Sequence, residues 1–298
     1  MNSMENKTLY LECNFGISGD MTVGALLDLG ADEQVLSNVL SSMPVSGFTT
    51  KISRVKKAGL DVCDFDVILD KHHDNHDHDM DYLYGHEYSH EEHHHEHNDS
   101  EHHEEHHHEH GHGEHHHEHN HEGHHPHHEH RGINEVNEII DKTEMTDNAR
   151  TIAKKIFSVL CEAEAKAHGV PYEEVHFHEV GAIDSIVDIV SVAVCIDNLN
   201  IKECVVTSLI EGTGTVRCQH GILPVPVPAV LNIVQMNHIP LAFSGRNGEY
   251  VTPTGAAIVA AICTTNELPK QFSVERVGMG AGKREYETPG ILRAMIIS

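Results

Sequence analysis

A histidine-rich tract divides this chain and decides which residues can build a folded core. Residues 72–130 hold 27 of the 32 histidines and 17 acidic residues, but no Lys or Arg. A segment of this composition buries too little apolar surface to offset the conformational entropy that is lost on ordering. We therefore expect a long disordered insertion over residues 71–131, and a folded domain assembled from residues 1–70 and 132–298.

Sequence patterns outside the tract alternate between strands and helices. Before it, we predict a strand at 8–13, a helix at 20–29, a second helix capped by Asp32 and a hairpin that turns at Ala58-Gly59. Both flanks are rich in Val, Ile, Leu and Ala, so together they can bury a sizeable core. The expected fold is α/β, a mixed sheet with packed helices. After the tract, the predicted helices span 133–141, 146 or 147 to 169, 185–199, 228–236 and a short segment from 252, and the predicted strands span 203–209, 214–218, 272–277 and 291–297.

Charge and cysteine content exclude several classes of function. The net charge is −27, of which the tract contributes −17, and no basic stripe is present to neutralise phosphates. We therefore expect no nucleic acid partner and no anionic membrane surface. The first residues lack the apolar region of a signal peptide, and the longest apolar run is far below the ~18 residues of a membrane span. Seven cysteines without a CxxC pair fit reduced thiols, so we expect a cytoplasmic protein.

The tract itself predicts transition-metal binding. Neutral imidazole is a good ligand for nickel, copper and zinc, and repeated histidines place many nitrogens within reach of one ion. Storage or delivery is the expected role, because unstructured ligands do not preorganise a reaction. Copper should bind at least as tightly as nickel, so composition does not select the metal. The alternative is a solvated acidic linker. The candidate ligands are His93, His94, His95, His97, His106, His107, His108 and His110.

A second group of candidate metal ligands follows the tract. His176 and His178 are two residues apart, so in an extended segment both point to the same face. Asp184 stands where a helix should begin and can cap it, and Asp188 and Ser191 continue a polar stripe along that helix. Two imidazoles and two carboxylates meeting near one point would form a divalent-metal site. The alternative is a helix cap, a hydrogen-bonded core aspartate and two surface histidines.

A glycine-bearing segment at 14–21 joins the first strand to the first helix. Glycines permit backbone conformations in which successive N–H groups point at one anion, and a helix N-terminus adds favourable potential. Gly16, Ser18, Gly19 and Asp20 are therefore candidates for binding a phosphate. No Gly-Lys-Ser/Thr follows, so this is not a Walker loop. In the alternative, Asp20 is only the cap of the helix.

A second glycine-rich segment lies near the C-terminus, at 278–284. It is predicted to follow a strand, and its glycines and adjacent cations would suit a phosphate or a carboxylate, although a mobile turn is the alternative. No clear helix follows, so a dinucleotide-binding fold is not supported. The candidate residues are Gly278, Gly280, Gly282 and Lys283.

Two isolated residues, His220 and Cys13, are further candidates for a functional role. His220 belongs to a segment expected to be a rigid extended connection and can approach a site, but a surface histidine is the simpler interpretation. Among the scattered cysteines, Cys13 is the one that precedes a glycine turn. No catalytic nucleophile is identified by a motif.

Taken together, the motifs resemble the nickel-insertion protein family of nickel-pincer cofactor biosynthesis. The resemblance covers nearly the whole chain outside the tract, and a histidine-rich insertion of variable length at this position is also typical of the family. The motifs that carry it are LECNFGISGDM at 11–21, EVHFHEVGAIDSIVDIV at 174–190, HGILPVPVPA at 220–229, TPTGAAI at 252–258 and GMGAGKRE at 278–285.

The resemblance implies an enzyme that places Ni(II) into pyridinium-3,5-bisthiocarboxylic acid mononucleotide, where two sulfurs and a ring carbon hold the metal. It further implies coupling to CTP hydrolysis with Mn or Mg, and a product used by lactate racemase and related enzymes. Full-length members continue into a C-terminal domain that resembles the nucleotide-binding part, whereas this chain stops at Ser298. The chain is thus expected to correspond to the N-terminal portion, and CTP to bind the missing part.

Two further functions compete with nickel insertion. A non-catalytic nickel store or metallochaperone would use the tract but would not need two glycine-rich anion loops beside an acidic and histidine-bearing site. A metal-dependent hydrolase would use the histidine and aspartate group, but no residue identifies its water or its substrate. The sequence leaves the oligomeric state open, a homo-oligomer included.

Overall fold

A six-stranded mixed sheet forms the centre of the molecule. The computed structural model describes residues 7–70, 80–84, 131–177 and 182–298. Two neighbouring pairs are parallel, β1 (Lys7–Glu12) with β6 (Ile201–Val205) and β3 (Leu60–Leu69) with β11 (Val274–Ala281). The other neighbouring strands are antiparallel. Strands from both sides of the histidine-rich tract therefore share one sheet. Side by side, the strands are β2 (Phe48–Lys57), β3 (Leu60–Leu69), β11 (Val274–Ala281), β12 (Ile291–Ile297), β1 (Lys7–Glu12) and β6 (Ile201–Val205).

The helices form layers over this sheet. The helix α1 (Gly19–Asp28) packs directly on β3, β11 and β12. Above it, α6 (Ile183–Asn198) packs on α1. The helix α5 (Asp147–His168) packs on α6 and on the pair α7 (Pro228–Met236) and α8 (Pro253–Ile262). The interior helix α6 buries apolar side chains nearly all round, as its sequence predicts. In the described residues the helices are α1 (Gly19–Asp28), α2 (Glu33–Ser41), α3 (Met80–Tyr84), α4 (Ile133–Lys142), α5 (Asp147–His168), α6 (Ile183–Asn198), α7 (Pro228–Met236) and α8 (Pro253–Ile262).

Shorter strands pair outside the central sheet. The strand β10 (Leu241–Asn247) was not predicted. Its residues are mostly exposed, and it ends in Ser-Gly-Arg-Asn, so it lacks the apolar alternation that indicates a strand. The pairs are β4 (Arg131–Gly132) with β5 (His176–Phe177), β8 (Thr215–Cys218) with β9 (Gly221–Pro224), and β7 (Leu209–Thr213) with β10 (Leu241–Asn247).

Glycines of β11 allow α1 to approach the sheet closely. A Cβ atom at Gly280 would overlap the carbonyl oxygen of Met21, and one at Gly278 would overlap that of Ala25. The prediction that these glycines follow a strand is wrong, since β11 continues to Ala281 and contains both of them. Their small size serves the packing of a helix on a strand.

Local capping and turn signals were read correctly from the sequence. Thr146 caps α5 by accepting a hydrogen bond of 3.1 Å from the backbone N–H of Ala149, and Gly169 ends that helix with a φ of 67°. Thr252 caps α8 in the same way. The hairpin of β2 and β3 turns at Ala58 and Gly59, both with positive φ.

Two predictions at element boundaries are wrong. Asp184 does not cap α6: the helix begins at Ile183 after Ala182, and Asp184 lies in its first turn. The expected disorder of 71–131 does not hold for residues 80–84, which form α3 and bury Leu83 because this Met-Asp-Tyr-Leu-Tyr segment carries the apolar side chains that the surrounding sequence lacks. It does not hold for Arg131 either, which pairs with Phe177 of β5, and residues 71–79 and 85–130 lie outside the described residues.

Candidate functional site at converging helix N-termini

A cavity of about 330 Å³ opens where four helices begin. This volume is within the range of about 300–1,000 Å³ that is typical of small-molecule pockets. Its wall contains the first residues of α1, α6, α7 and α8, together with the last turn of α5 and the hairpin of β8 and β9. Helices that are far apart in the sequence thus direct the same end at one space.

The helix ends contribute positive potential to the cavity wall. Each helix carries partial positive charge at its N-terminus, where the first N–H groups have no partner within the helix. Ser18, Ala182 and Val227, which precede α1, α6 and α7, make no side-chain cap, whereas Thr252 caps α8. Backbone donors of this kind favour an anionic ligand such as a phosphate or a carboxylate.

Three aspartates from two helices meet in this cavity. Asp20 belongs to the first turn of α1, and Asp184 and Asp188 lie one turn apart on α6. Gly19 is essential to their approach, because a Cβ atom there would overlap the Asp188 carboxylate. Burial, and then the nearby charges of Asp20 and Asp184, raise the pKa of Asp188 well above its ordinary value.

Polar atoms in this cluster have the properties of cation ligands. Within the described part of the chain, Asp20 Oδ2, Asp188 Oδ1 and Ser191 Oγ are buried without a hydrogen-bond partner. Buried carboxylate oxygens are costly unless they are paired or coordinate a metal. A divalent cation would supply both the missing partner and the charge, so the donor set fits one. Among the described residues, however, no three His, Cys, Asp or Glu side chains are already arranged around a metal position.

The predicted histidine ligands do not join the aspartates in the described cavity wall. His176 is exposed on β5, while Val175 and Phe177 on either side are 1% exposed. His176 is not among the described residues that line the cavity. His178 lies outside the described residues. So do the candidate ligands of the tract, namely His93, His94, His95, His97, His106, His107, His108 and His110.

The first glycine segment contributes to the cavity through three of its four predicted residues. Ser18, Gly19 and Asp20 line it, and the Asp20 carboxylate accepts hydrogen bonds from the Ser18 hydroxyl and from the backbone N–H of Met21. The alternative in which Asp20 caps the helix is wrong, since α1 follows Ser18 directly. Gly16 instead packs with positive φ against the Tyr250 backbone.

The second glycine segment supplies cations that already have acidic partners. Lys283 Nζ lies 2.7 Å from Asp64 Oδ1 and 3.2 Å from Asp66 Oδ1. Burial disfavours its charge, but these carboxylates prevail and its pKa is raised. Both Lys283 and the neighbouring Arg284 line the cavity. Gly282 lines a smaller adjoining space of about 60 Å³ with the same two cations.

Buried glutamates support this wall and were missed by the sequence analysis. Glu249 pairs with Arg284, and its backbone N–H donates to the Tyr84 hydroxyl at 3.0 Å. Glu211 is fully buried and accepts backbone N–H bonds from Gly212, Tyr250 and Val251 at 2.7–3.1 Å. Its burial raises its pKa to about 7. Single acids inside strand-like segments carry no motif, so their burial is visible only in the fold.

Of the two isolated candidates from the sequence, Cys13 lies in the core and His220 lies at the cavity. Cys13 is buried, and that burial raises the pKa of its thiol, so it is a core residue. His220 lines the cavity beside Cys218, which the sequence analysis did not single out.

Within the described residues, no helix has the combination of length and apolar character that a membrane span needs.

Comparison with known proteins extends these observations. The fold and cavity define a mixed α/β protein whose pocket combines carboxylates, cations and helix N-termini. The chain belongs to the nickel insertion protein family, which it matches over residues 9–298. No solved structure matches it.

Named relatives match nearly all of the chain. Three of them are named pyridinium-3,5-bisthiocarboxylic acid mononucleotide nickel insertion protein. They come from Alkaliphilus metalliredigens (47% identical), Clostridium acetobutylicum (41%) and Acetivibrio thermocellus (36%). Each match covers 97% of this chain but only 60–64% of the relative. The chain thus spans somewhat under two thirds of the length of these relatives.

Proposed function

We propose that this chain inserts nickel into pyridinium-3,5-bisthiocarboxylic acid mononucleotide. Membership of the family and the names of the relatives support this substrate. The observation that carries the proposal is a cavity lined by the first residues of four helices together with Asp20 and Asp188, each of which has a buried carboxylate oxygen without a hydrogen-bond partner among the described residues. Such a pocket suits a cation and an anion held side by side, as nickel insertion into a mononucleotide requires.

The proposal assigns separate roles to the two kinds of group. Nickel is the cargo, and Asp20, Asp184 and Asp188 would hold it through carboxylate oxygens before transfer. The first turns of α7 and α8, with Lys283, would orient the phosphate and carboxylate groups of the mononucleotide. Weak oxygen ligands suit this task, because the two sulfurs of the substrate can then remove a borderline metal from them. The earlier assignment of His176 and His178 to the same site remains a prediction.

The nucleotide-dependent part of the reaction is also a proposal. By family resemblance, CTP hydrolysis with Mn or Mg accompanies insertion, and the product serves lactate racemase and related enzymes in the cytoplasm. The relatives are longer than this chain, so we assign CTP binding to the part that the match does not cover. The tract would collect nickel for the cavity. Homo-oligomer formation is left open.

A non-catalytic nickel store is the second candidate, and the composition of residues 72–130 favours it. A store needs the tract alone. It gives no reason for carboxylates and helix N-termini to meet in one cavity. The two functions therefore differ in what happens when the aspartates are changed and the tract is left intact.

The test is a direct insertion assay. The chain would be incubated with the mononucleotide, nickel and CTP, with and without the separately expressed remaining part of the Alkaliphilus relative, and the nickel content of the isolated mononucleotide would be measured. We expect nickel-bearing product, and at least about a tenfold loss of rate in Asp20→Asn and Asp188→Asn. The matched control is Asp61→Asn, an exposed carboxylate that is paired with Arg54 and does not line the cavity.

The same assay separates the two candidates. Product formation that depends on Asp20 and Asp188 supports insertion. Absence of product with both parts present, while the chain still binds nickel, would leave the store as the remaining function.

A further inference from the structure

We propose a second transition-metal site, formed by Cys218, His220 and His168 at the edge of the cavity. It goes beyond the proposed insertion reaction, because it requires neither the mononucleotide nor the three aspartates. The three side chains come from two distant parts of the chain. His168 ends α5, whereas Cys218 ends β8 and His220 lies in the turn between β8 and β9.

The distances between these side chains approach those of a metal site. Cys218 Sγ lies 3.8 Å from His220 Nδ1, and the ring centres of His168 and His220 are 4.9 Å apart. For a tetrahedral metal with S and N ligands at about 2.3 and 2.0–2.1 Å, the S···N separation is about 3.6 Å. One ion therefore fits between Cys218 and His220 with a shift of a few tenths of an ångström.

Glu164 prepares His168 for the same ion. Its Oε2 lies 3.3 Å from Nε2 of His168, one helical turn away on α5. Metal-binding histidines commonly donate the N–H of one ring nitrogen to a carboxylate, which fixes the tautomer and leaves the other nitrogen for the metal. Nδ1 of His168 is then the ligand nitrogen.

Completion of the site requires rotation of the imidazoles. In the part of the chain that is described, no three such side chains already surround one point. Both histidines stand at exposed positions outside the hydrophobic core, so rotation of their rings does not require the core to move. A site that closes on arrival of the metal binds it more weakly than a preformed one, which suits a transfer position.

The ligand set also defines the class of metal. Thiolate and imidazole favour nickel, copper and zinc over magnesium, manganese and calcium. α3 packs against β8, the strand that ends at Cys218, and the chain continues from α3 into the histidine-rich residues 85–130. The site therefore lies on the strand that α3 contacts, and α3 directly precedes those residues in the sequence, which suits a receiver of their metal.

Cobalt(II) binding to the full chain tests this assignment. Cobalt bound to a thiolate gives a near-ultraviolet charge-transfer absorption that imidazole and carboxylate ligands do not give. Residues 72–130 contain no cysteine, so cobalt held by the tract adds nothing to this band even at saturation. We expect the band in the native chain, its loss in Cys218→Ser and at least a halving of its intensity at subsaturating cobalt in His220→Asn and His168→Asn.

The control is Cys263→Ser, which removes the other partly exposed thiol and should keep the band. Absence of the band in the native chain, or its persistence in Cys218→Ser, would overturn the proposal. Circular dichroism verifies folding, and if Cys218→Ser does not fold, an undiminished band in folded His220→Asn and His168→Asn overturns it equally. No mononucleotide is present, so the outcome is independent of the insertion assay.

Discussion

At the scale of single residues, Glu211 shows how a buried acid links stability to pH. Its folded-state pKa of about 7 exceeds the ordinary value of 4.5, because burial disfavours the charged form. Between these values the folded state binds more protons than the unfolded state, so the free energy of unfolding falls as pH rises. The full effect is roughly 3 kcal/mol, counted as 1.36 kcal/mol per pKa unit.

Glu211→Gln should therefore remove much of this pH dependence. Its side-chain oxygen can still accept the three backbone N–H bonds, but it does not titrate. We expect the difference in the free energy of unfolding between pH 5 and pH 8 to shrink by roughly 2–3 kcal/mol, measured by urea unfolding. The control is Glu267→Gln at an exposed position, which should retain the native slope. An unchanged slope in Glu211→Gln would contradict the assignment.

At the scale of elements, the contact of α1 with β11 determines where Asp20 lies. Gly280→Ala would force a Cβ atom against the backbone of Met21, which cannot move without displacing α1. We expect a loss of at least about 2 kcal/mol in the free energy of unfolding, measured by denaturant titration.

Gly282→Ala is the matched control for that substitution. Its added Cβ atom would meet the flexible side chain of the same methionine, with Sδ at 3.0 Å, so the loss should stay below about 1 kcal/mol. Equal losses in the two variants would show that the close helix–strand contact does not limit stability.

At the scale of the whole molecule, metal capacity and the insertion site should be separable. Replacing the 27 histidines of residues 72–130 by glutamine should greatly lower the amount of nickel bound per chain, measured by equilibrium dialysis, because imidazole ligands are lost. Insertion should continue when nickel is ample. Loss of insertion under excess nickel would instead assign the tract a direct part in the reaction.

Short-range patterns in the sequence determined most of the elements outside the histidine-rich tract. α5 starts after Thr146, one of the two predicted start positions, α8 starts after Thr252 as predicted, and Ala58-Gly59 turns the hairpin, because helix starts and turns depend on neighbours within a few residues. The family resemblance was also visible in the motifs, and the match over residues 9–298 confirmed it.

Only the tertiary structure decided which residues share the cavity. Asp20 and Asp188 meet although 168 positions separate them, and the cluster of Cys218, His220 and His168 spans two elements whose sequences carry no common signal. Periodicity and capping act over one or two turns, whereas these contacts depend on the way α1, α5 and α6 pack on the sheet. The sequence therefore determined most of the local elements, and long-range packing alone set the composition of the site.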